Sequence, residues 1–297
     1  MGRLHAEKFA RCEGVQLAAV VDADPARAAA LAATHRCAPL GDYREVLDRA
    51  DAAVIAVPTD RHHEVVLGCL RAGLHVLVEK PIASTLEQAD ELVELAGSRR
   101  LVLQVGHVER YNTAFKALAE RMDRPVFIEA ERLSAFKQRG AEVDVVLDVM
   151  IHDLDLAVAL ARAAILDVSA CGFRVLTGDI DIANARIEFA NGCVANLSAS
   201  RVSQAAVRKL RVFQDNLYVS ADLQGGRLRY VRQSGGAIEE TEERHEGGDA
   251  LAAQAAAFAA AVRGNGLVPL DGAEGRRALQ LALDIGRRVR ERLSRFA

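Results

Sequence analysis

Tryptophan is absent from this 297-residue chain, aromatic side chains make up only 4% of it, and six prolines and five cysteines are scattered along it. No window approaches the roughly 18 to 20 consecutive apolar residues that cross a bilayer. The opening Met1-Gly2-Arg3-Leu4-His5 has no apolar signal stretch, so the expectation is a cytoplasmic protein with no membrane partner. Cys12, Cys37, Cys69, Cys171 and Cys193 form no CxxC pair, which argues against a disulfide framework or a structural zinc site and for buried, reduced thiols. A formal charge of −3 gives no field to hold a polyphosphate backbone, so nucleic acid is excluded as the expected partner. A hydrophobic content of 51% is too high for a disordered or collagenous chain. At this length it describes roughly two globular domains.

Up to about residue 106, short β-branched runs at 15–21, 52–57, 75–78 and 101–105 alternate with helical stretches at 25–34, 64–72 and 86–98, and Gly73 stops the second of these. That rhythm is the signature of a parallel sheet in a doubly wound α/β layer. Beyond residue 113 the strand-like segments 126–136, 169–176, 183–189, 194–201, 209–213 and 217–223 follow one another across turns such as Asn191-Gly192, which reads as an antiparallel sheet. Helices are expected at 144–163, 249–263 and 271–293. The basic stretch Arg287-Arg288-Val289-Arg290-Glu291-Arg292 reads as a solvated helix face rather than an anion or membrane site.

Ligands of a parallel sheet gather outside the carboxyl ends of its strands. Asp22 ends the first run, about 20 positions after Gly2. A carboxylate there accepts hydrogen bonds from both adenosine ribose hydroxyls and repels a 2′-phosphate, which favours NAD over NADP. The competing reading is a surface or capping residue, because Asp24-Pro25 opens a helix. Gly2 opens a helix over 3–11 and takes the place of the last glycine of a GxGxxG turn, where it would allow close helix-to-strand packing. The earlier glycines and the strand before them are not in the sequence, and one expectation is that about a dozen upstream residues belong to the functional protein.

The run at 52–57 leads into Pro58-Thr59-Asp60-Arg61-His62-His63, where one histidine serves as a capping or packing residue, and the run at 75–78 leads into Glu79-Lys80-Pro81. Lys80, pinned by a proline and beside a glutamate, is a directed ammonium able to hydrogen-bond a substrate hydroxyl, with surface salt-bridging as the alternative. Asp148 and His152 stand at i and i+4 on one helix face, so the carboxylate can orient the imidazole as a general base. A plain ion pair and Asp/His metal ligation are the alternatives, and no further ligand cluster supports a metal.

Taken together, Gly2 with His5, Val20-Val21-Asp22-Ala23-Asp24, the segment from Pro58 to His62, Glu79-Lys80-Pro81, and Asp148 four before His152 resemble the Gfo/Idh/MocA oxidoreductase family over nearly the whole chain. The resemblance implies an α/β Rossmann-like domain over 1–112, lacking its first strand here, and an α+β domain with an open-faced antiparallel sheet over 113–270. The helix from 271 would pack back on the first domain. It further implies NAD(P)-dependent oxidation of a sugar or cyclitol hydroxyl, and homodimers or homotetramers built on the sheet. Lys80 would lie between nicotinamide and substrate, with Asp148 and His152 completing the catalytic group. Gly2, Asp22, Pro58, Thr59, His62 and Glu79 would hold the cofactor. The segment Gly106-His107-Val108-Glu109-Arg110-Tyr111-Asn112 is similar to the GHxERFNP sequence of members acting on UDP-linked N-acetyl sugars, with Arg110, Tyr111 and Asn112 toward the substrate. That makes the 3-hydroxyl of UDP-N-acetylglucosamine a candidate. Thr113 stands where this motif has Pro, and Met150 where many relatives have Gly. The family also covers redox-cycling lyases or glycosidases and a non-catalytic nucleotide- or sugar-binding regulator.

Overall fold

The computed structural model describes residues 1–136, 143–245, 247–266 and 270–296. In chain order the elements are α1 (Gly2–Ala10), β1 (Ala19–Val21), α2 (Pro25–His35), β2 (Ala38–Leu40), β3 (Ala52–Ile55), α3 (His62–Arg71), β4 (His75–Glu79), α4 (Leu86–Arg99) and β5 (Leu103–Gly106). They continue with α5 (Thr113–Arg121), β6 (Phe127–Leu133), α6 (Ile151–Ala161), β7 (Ile165–Phe173), β8 (Ile182–Phe189), β9 (Val194–Ser200) and β10 (Val207–Gln214). The chain closes with β11 (Leu217–Asp222), β12 (Arg227–Ser234), β13 (Ala237–Arg244), α7 (Ala250–Val262) and α8 (Gly272–Leu293). One unit comprises Met1–Val108 with Asp249–Leu279, and a second comprises Glu109–Gly248 with Gln280–Ala297.

In the first unit β3, β4 and β5 pair in parallel, with Ile55 opposite Val78 and Glu79 opposite Gly106. β1 and β2 form a separate parallel pair, and among the described residues no strand joins β1 to β3. The first apolar run gives a strand only at its end. Val15 instead closes a turn on Cys12 and packs against the cluster of Phe9, Leu77, Ala255 and Phe258. Val76, Leu77 and Val78 of β4 are wholly buried, which is why their run reads so plainly in the sequence. The helices begin where local chemistry starts them. Asp24 accepts from the Ala26 and Arg27 N–H groups ahead of Pro25, and Thr85 and Gln88 make a capping box for α4. α7, expected in the second domain, belongs to the first unit, because Phe258 meets Phe9 edge-on at 6.1 Å.

The second unit is built on one eight-stranded sheet in the order β13-β12-β11-β10-β6-β9-β8-β7. It is mixed rather than purely antiparallel. α6 carries the chain away from β6 to the edge strand β7, and two reversals then bring β9 back beside β6 in the same direction. Ala183, Ala185, Ile187 and Phe189 of β8 are buried, while Ile182, Asn184, Arg186 and Glu188 between them are exposed, so one face of the sheet is covered and the other open. Cys69 and Cys193 are buried thiols pushed up to about 11 by burial, and the other three cysteines are half-buried; all five are free. The basic stretch near the end of α8 is tied down by acids, Arg287 by Asp284 and Glu291, Arg288 by Asp284, and Arg290 by Asp144.

Candidate active site

In the first unit the predicted residues collect at the carboxyl ends of β1, β3 and β4. Lys80 is half-buried directly after β4, and its backbone is fixed from both sides. On one side His5 of α1, 2% exposed, donates from Nε2 to Glu79 Oε1 at 2.6 Å. A Cβ at Gly106 would sit 3.1 Å from the Glu79 Cα and Cδ, so a larger residue on the neighbouring strand would crowd that glutamate by a few tenths of an ångström. On the other side His62 places Nδ1 2.8 Å from the Pro81 carbonyl and Nε2 3.0 Å from the Val57 carbonyl. The resemblance puts His62 against the cofactor. The ring is instead 1% exposed and works as a strut between the ends of β3 and β4. Burial pulls its pKa below the ordinary value, against the raising effect of the two carbonyls. A neutral ring has one N–H and satisfies one carbonyl at a time.

Pro58 is exposed and Thr59 half-buried at the turn after β3. Asp22 is half-buried at the end of β1. It accepts from the Asp24 N–H at 2.9 Å and faces Arg27 at 3.1 Å. A Cβ at Gly2 would meet nothing within 4 Å, so close packing does not explain the glycine.

In the second unit Asp148 and His152 are both half-buried. The regular helix expected over 144–163 is instead a π-helical turn, Val146–Met150, in which Ile151 N–H bonds Val146 O, followed by α6. Such widened turns occur often at functional sites. The start of this segment is held by Asp144, which accepts from the Val146 and Leu147 N–H groups at 2.9 Å each and from Arg290 at 3.0 Å. Met150 is wholly buried. Of the residues expected to face substrate, Arg110 forks the Asp155 carboxylate at 2.7 and 3.0 Å. Tyr111 is 4% exposed. Asn112 caps α5 and donates to the Leu223 carbonyl. Each therefore serves the local framework.

Two buried groups escaped the sequence. The first is Arg132, which bridges Asp153 and Glu109. Burial opposes its charge, but the two carboxylates outweigh this and hold the guanidinium protonated. The second is Asp181, wholly buried, which accepts from the N–H groups of Val175, Leu176 and Thr177 at 2.8, 2.7 and 2.9 Å, from Thr177 Oγ1 and from Arg201. Arg201 also donates to the Val143 carbonyl, just before Asp144. No periodicity marks the ion pairs, because Arg132 and Arg201 lie 20 or more residues from their carboxylate partners. Burial alone would raise the Asp181 pKa, but its donors hold it well below the usual carboxylate range. Asp181→Ala is expected to cost about 3 to 5 kcal/mol in urea unfolding, since it breaks a buried ion pair with Arg201 and takes the acceptor from the Val175, Leu176 and Thr177 N–H groups. In the unmodified protein this contribution is complete above the unfolded pKa of about 3.9 and is lost as pH falls through the lower folded value.

Among the described residues no group of three or more His, Cys, Asp or Glu is placed to hold a metal ion, and no helix is long and apolar enough to cross a membrane. The donor set fits a dinucleotide. A strand-tip carboxylate stands ready for ribose hydroxyls, and an ammonium ends a buried strand. The exposed N-terminus of α1 has open space at Gly2 and no acidic residue in its first turn, which suits a diphosphate. Parallel strands with polar residues at their carboxyl tips are the frame on which NAD-binding oxidoreductases hold their cofactor.

The comparisons agree. Residues 1–107 match the oxidoreductase family model described as an NAD-binding Rossmann fold, and residues 119–218 match the GFO/IDH/MocA C-terminal domain. The chain is 38% identical over 293 residues to the UDP-N-acetylglucosamine 3-dehydrogenase of Acidithiobacillus ferrooxidans, spanning 96% of this chain and 93% of that one. A solved structure of that enzyme has a TM-score of 0.91 and covers 97% of this chain and 93% of its own. The scyllo-inositol dehydrogenase of Lactobacillus casei, solved with NAD(H) and scyllo-inositol, is 18% identical with a TM-score of 0.83 over 98% of this chain and 94% of its own, which shows the shared fold. The chain belongs to the Gfo/Idh/MocA oxidoreductase family. It is an NAD-dependent dehydrogenase acting on CH–OH groups.

Proposed function

We propose that the substrate is a nucleotide sugar and the reaction the oxidation of the 3-hydroxyl of UDP-N-acetylglucosamine. For the chemistry, the observation that carries this reading is Lys80, an ammonium on a buried strand end braced by Glu79–His5 and by His62. For the substrate, the support is the end-to-end similarity to the Acidithiobacillus enzyme together with the GHVERYN segment. Lys80 donates a hydrogen bond to the hydroxyl oxygen and stabilises the developing alkoxide. His152, steered by Asp148, accepts the hydroxyl proton. The chemistry that NAD would supply when bound is that of a hydride acceptor for the carbon bearing the hydroxyl. Gly2, Asp22, Pro58, Thr59 and Glu79 hold that cofactor, His62 supports them from behind, and Arg110, Tyr111 and Asn112 shape the substrate side.

The enzyme works in the cytoplasm as a homodimer or homotetramer. The open sheet face supports this association: Phe127, Phe213 and Tyr218 stack across it with centroids 5.7 and 4.7 Å apart, and Ile182, two strands away toward the other end of the sheet, is 39% exposed. The test is NADH absorbance with UDP-N-acetylglucosamine, UDP-glucose and scyllo-inositol as substrates, followed by NMR of the product. NADH formation with the first and a ketone at C3 is the expected result. Faster turnover of the free cyclitol would sink the assignment.

A further inference from the structure

Two buried ion pairs close on the turn of α6 that follows His152. Asp153 and Asp155 are 4% and 3% exposed on α6. Arg132 of β6 donates to Asp153 through Nε at 3.1 and 3.0 Å and through Nη2 at 2.8 Å, and turns Nη1 to Glu109 at 2.8 Å. Arg110 grips Asp155 with two parallel bonds of 2.7 and 3.0 Å. Glu109 and Arg110 are neighbours in one 3₁₀ turn, Val108–Tyr111. Arg208, half-exposed, adds a 3.3 Å contact to Glu109. Three guanidinium groups thus face three carboxylates. Apolar residues of equal volume would fill these positions without the desolvation cost of burying charge. What forked guanidinium–carboxylate pairs add is direction. Each fixes both the height and the rotation of the helix at the residue it holds.

We infer that Arg132 and Arg110, with Glu109 behind Arg132, are positioning residues: by gripping Asp153 and Asp155 they set the turn of α6 from which the His152 ring projects. This rests on the reading that His152 accepts the substrate proton. Kinetics of the NAD-loaded enzyme with UDP-N-acetylglucosamine test it in three variants: Arg132→Lys, the apolar pair Arg132→Met/Asp153→Leu, and His152→Ala. Both Arg132 variants are expected to lose about 10- to 100-fold in kcat, with KM for sugar and NAD held within about twofold. Arg132→Lys keeps a cation between Asp153 and Glu109 and should unfold in urea near the wild-type midpoint, which separates positioning from stability. Wild-type kcat in the apolar pair or in Arg132→Lys, or a loss confined to KM, overturns the inference while an inactive His152→Ala leaves the reading of the site intact. Wild-type kcat in His152→Ala overturns that reading and the clamp with it.

Discussion

Lys80→Ala is expected to lower kcat by about 10²-fold or more, and His152→Ala by a similar factor, with both proteins folded. The expectation follows from how each residue is held. Lys80 leaves a strand whose preceding residues are wholly buried, and its neighbours Glu79 and Pro81 are fixed by His5 and His62. The backbone from which the ammonium extends is therefore held in place, and in the proposed role its hydrogen bond to the hydroxyl oxygen would gain strength as charge develops there. Both side chains are half-buried, so truncation creates no large cavity, and circular dichroism and urea midpoints should stay near wild type. Steady-state NADH formation measures the loss. Turnover near wild type in both variants would remove the mechanism, because no hydroxyl-activating group would then be at work.

The parallel unit was legible because burial wrote it. Strands such as β4 are covered on both faces and appear as unbroken β-branched runs, while their helices carry caps such as Asp24 and Thr85. The hairpin β12–β13 was not legible, because β13 has almost no buried face. Its Glu239, Glu240 and Glu242 pair instead with Arg232, Arg229 and Arg244, and a charged ribbon lacks the alternation by which strands are recognised. The mixed sheet escaped for another reason, since the direction in which β9 returns beside β6 is set by the path of the chain and not by either strand's composition. Of the residues proposed for the site, Lys80, Asp148 and His152 stand out by local spacing together with the family resemblance. The π-turn does not, nor do the Arg132 and Asp181 networks, whose members meet across tens of residues.

Asp22→Ser is expected to move cofactor preference toward NADP, lowering kcat/KM with NAD by about 10- to 100-fold, the worth of charge-assisted hydrogen bonds of roughly 1.5 to 3 kcal/mol. The carboxylate ends β1 and stands 3.1 Å from Arg27, which Asp24 also contacts at 3.3 Å. In the proposed role Asp22 would accept the ribose hydroxyls and keep a 2′-phosphate away by like charge. As serine it leaves Arg27 with one carboxylate partner fewer and a guanidinium suited to phosphate. NADP turnover should therefore rise in Asp22→Ser and fall back in Asp22→Ser/Arg27→Ala. The competing role, bracing the Asp24 N–H at 2.9 Å, predicts something different: lower thermal stability with the NAD-to-NADP ratio unchanged. The ratio of the two kcat/KM values decides between them, because a turn brace weakens both cofactors together while a ribose acceptor separates them.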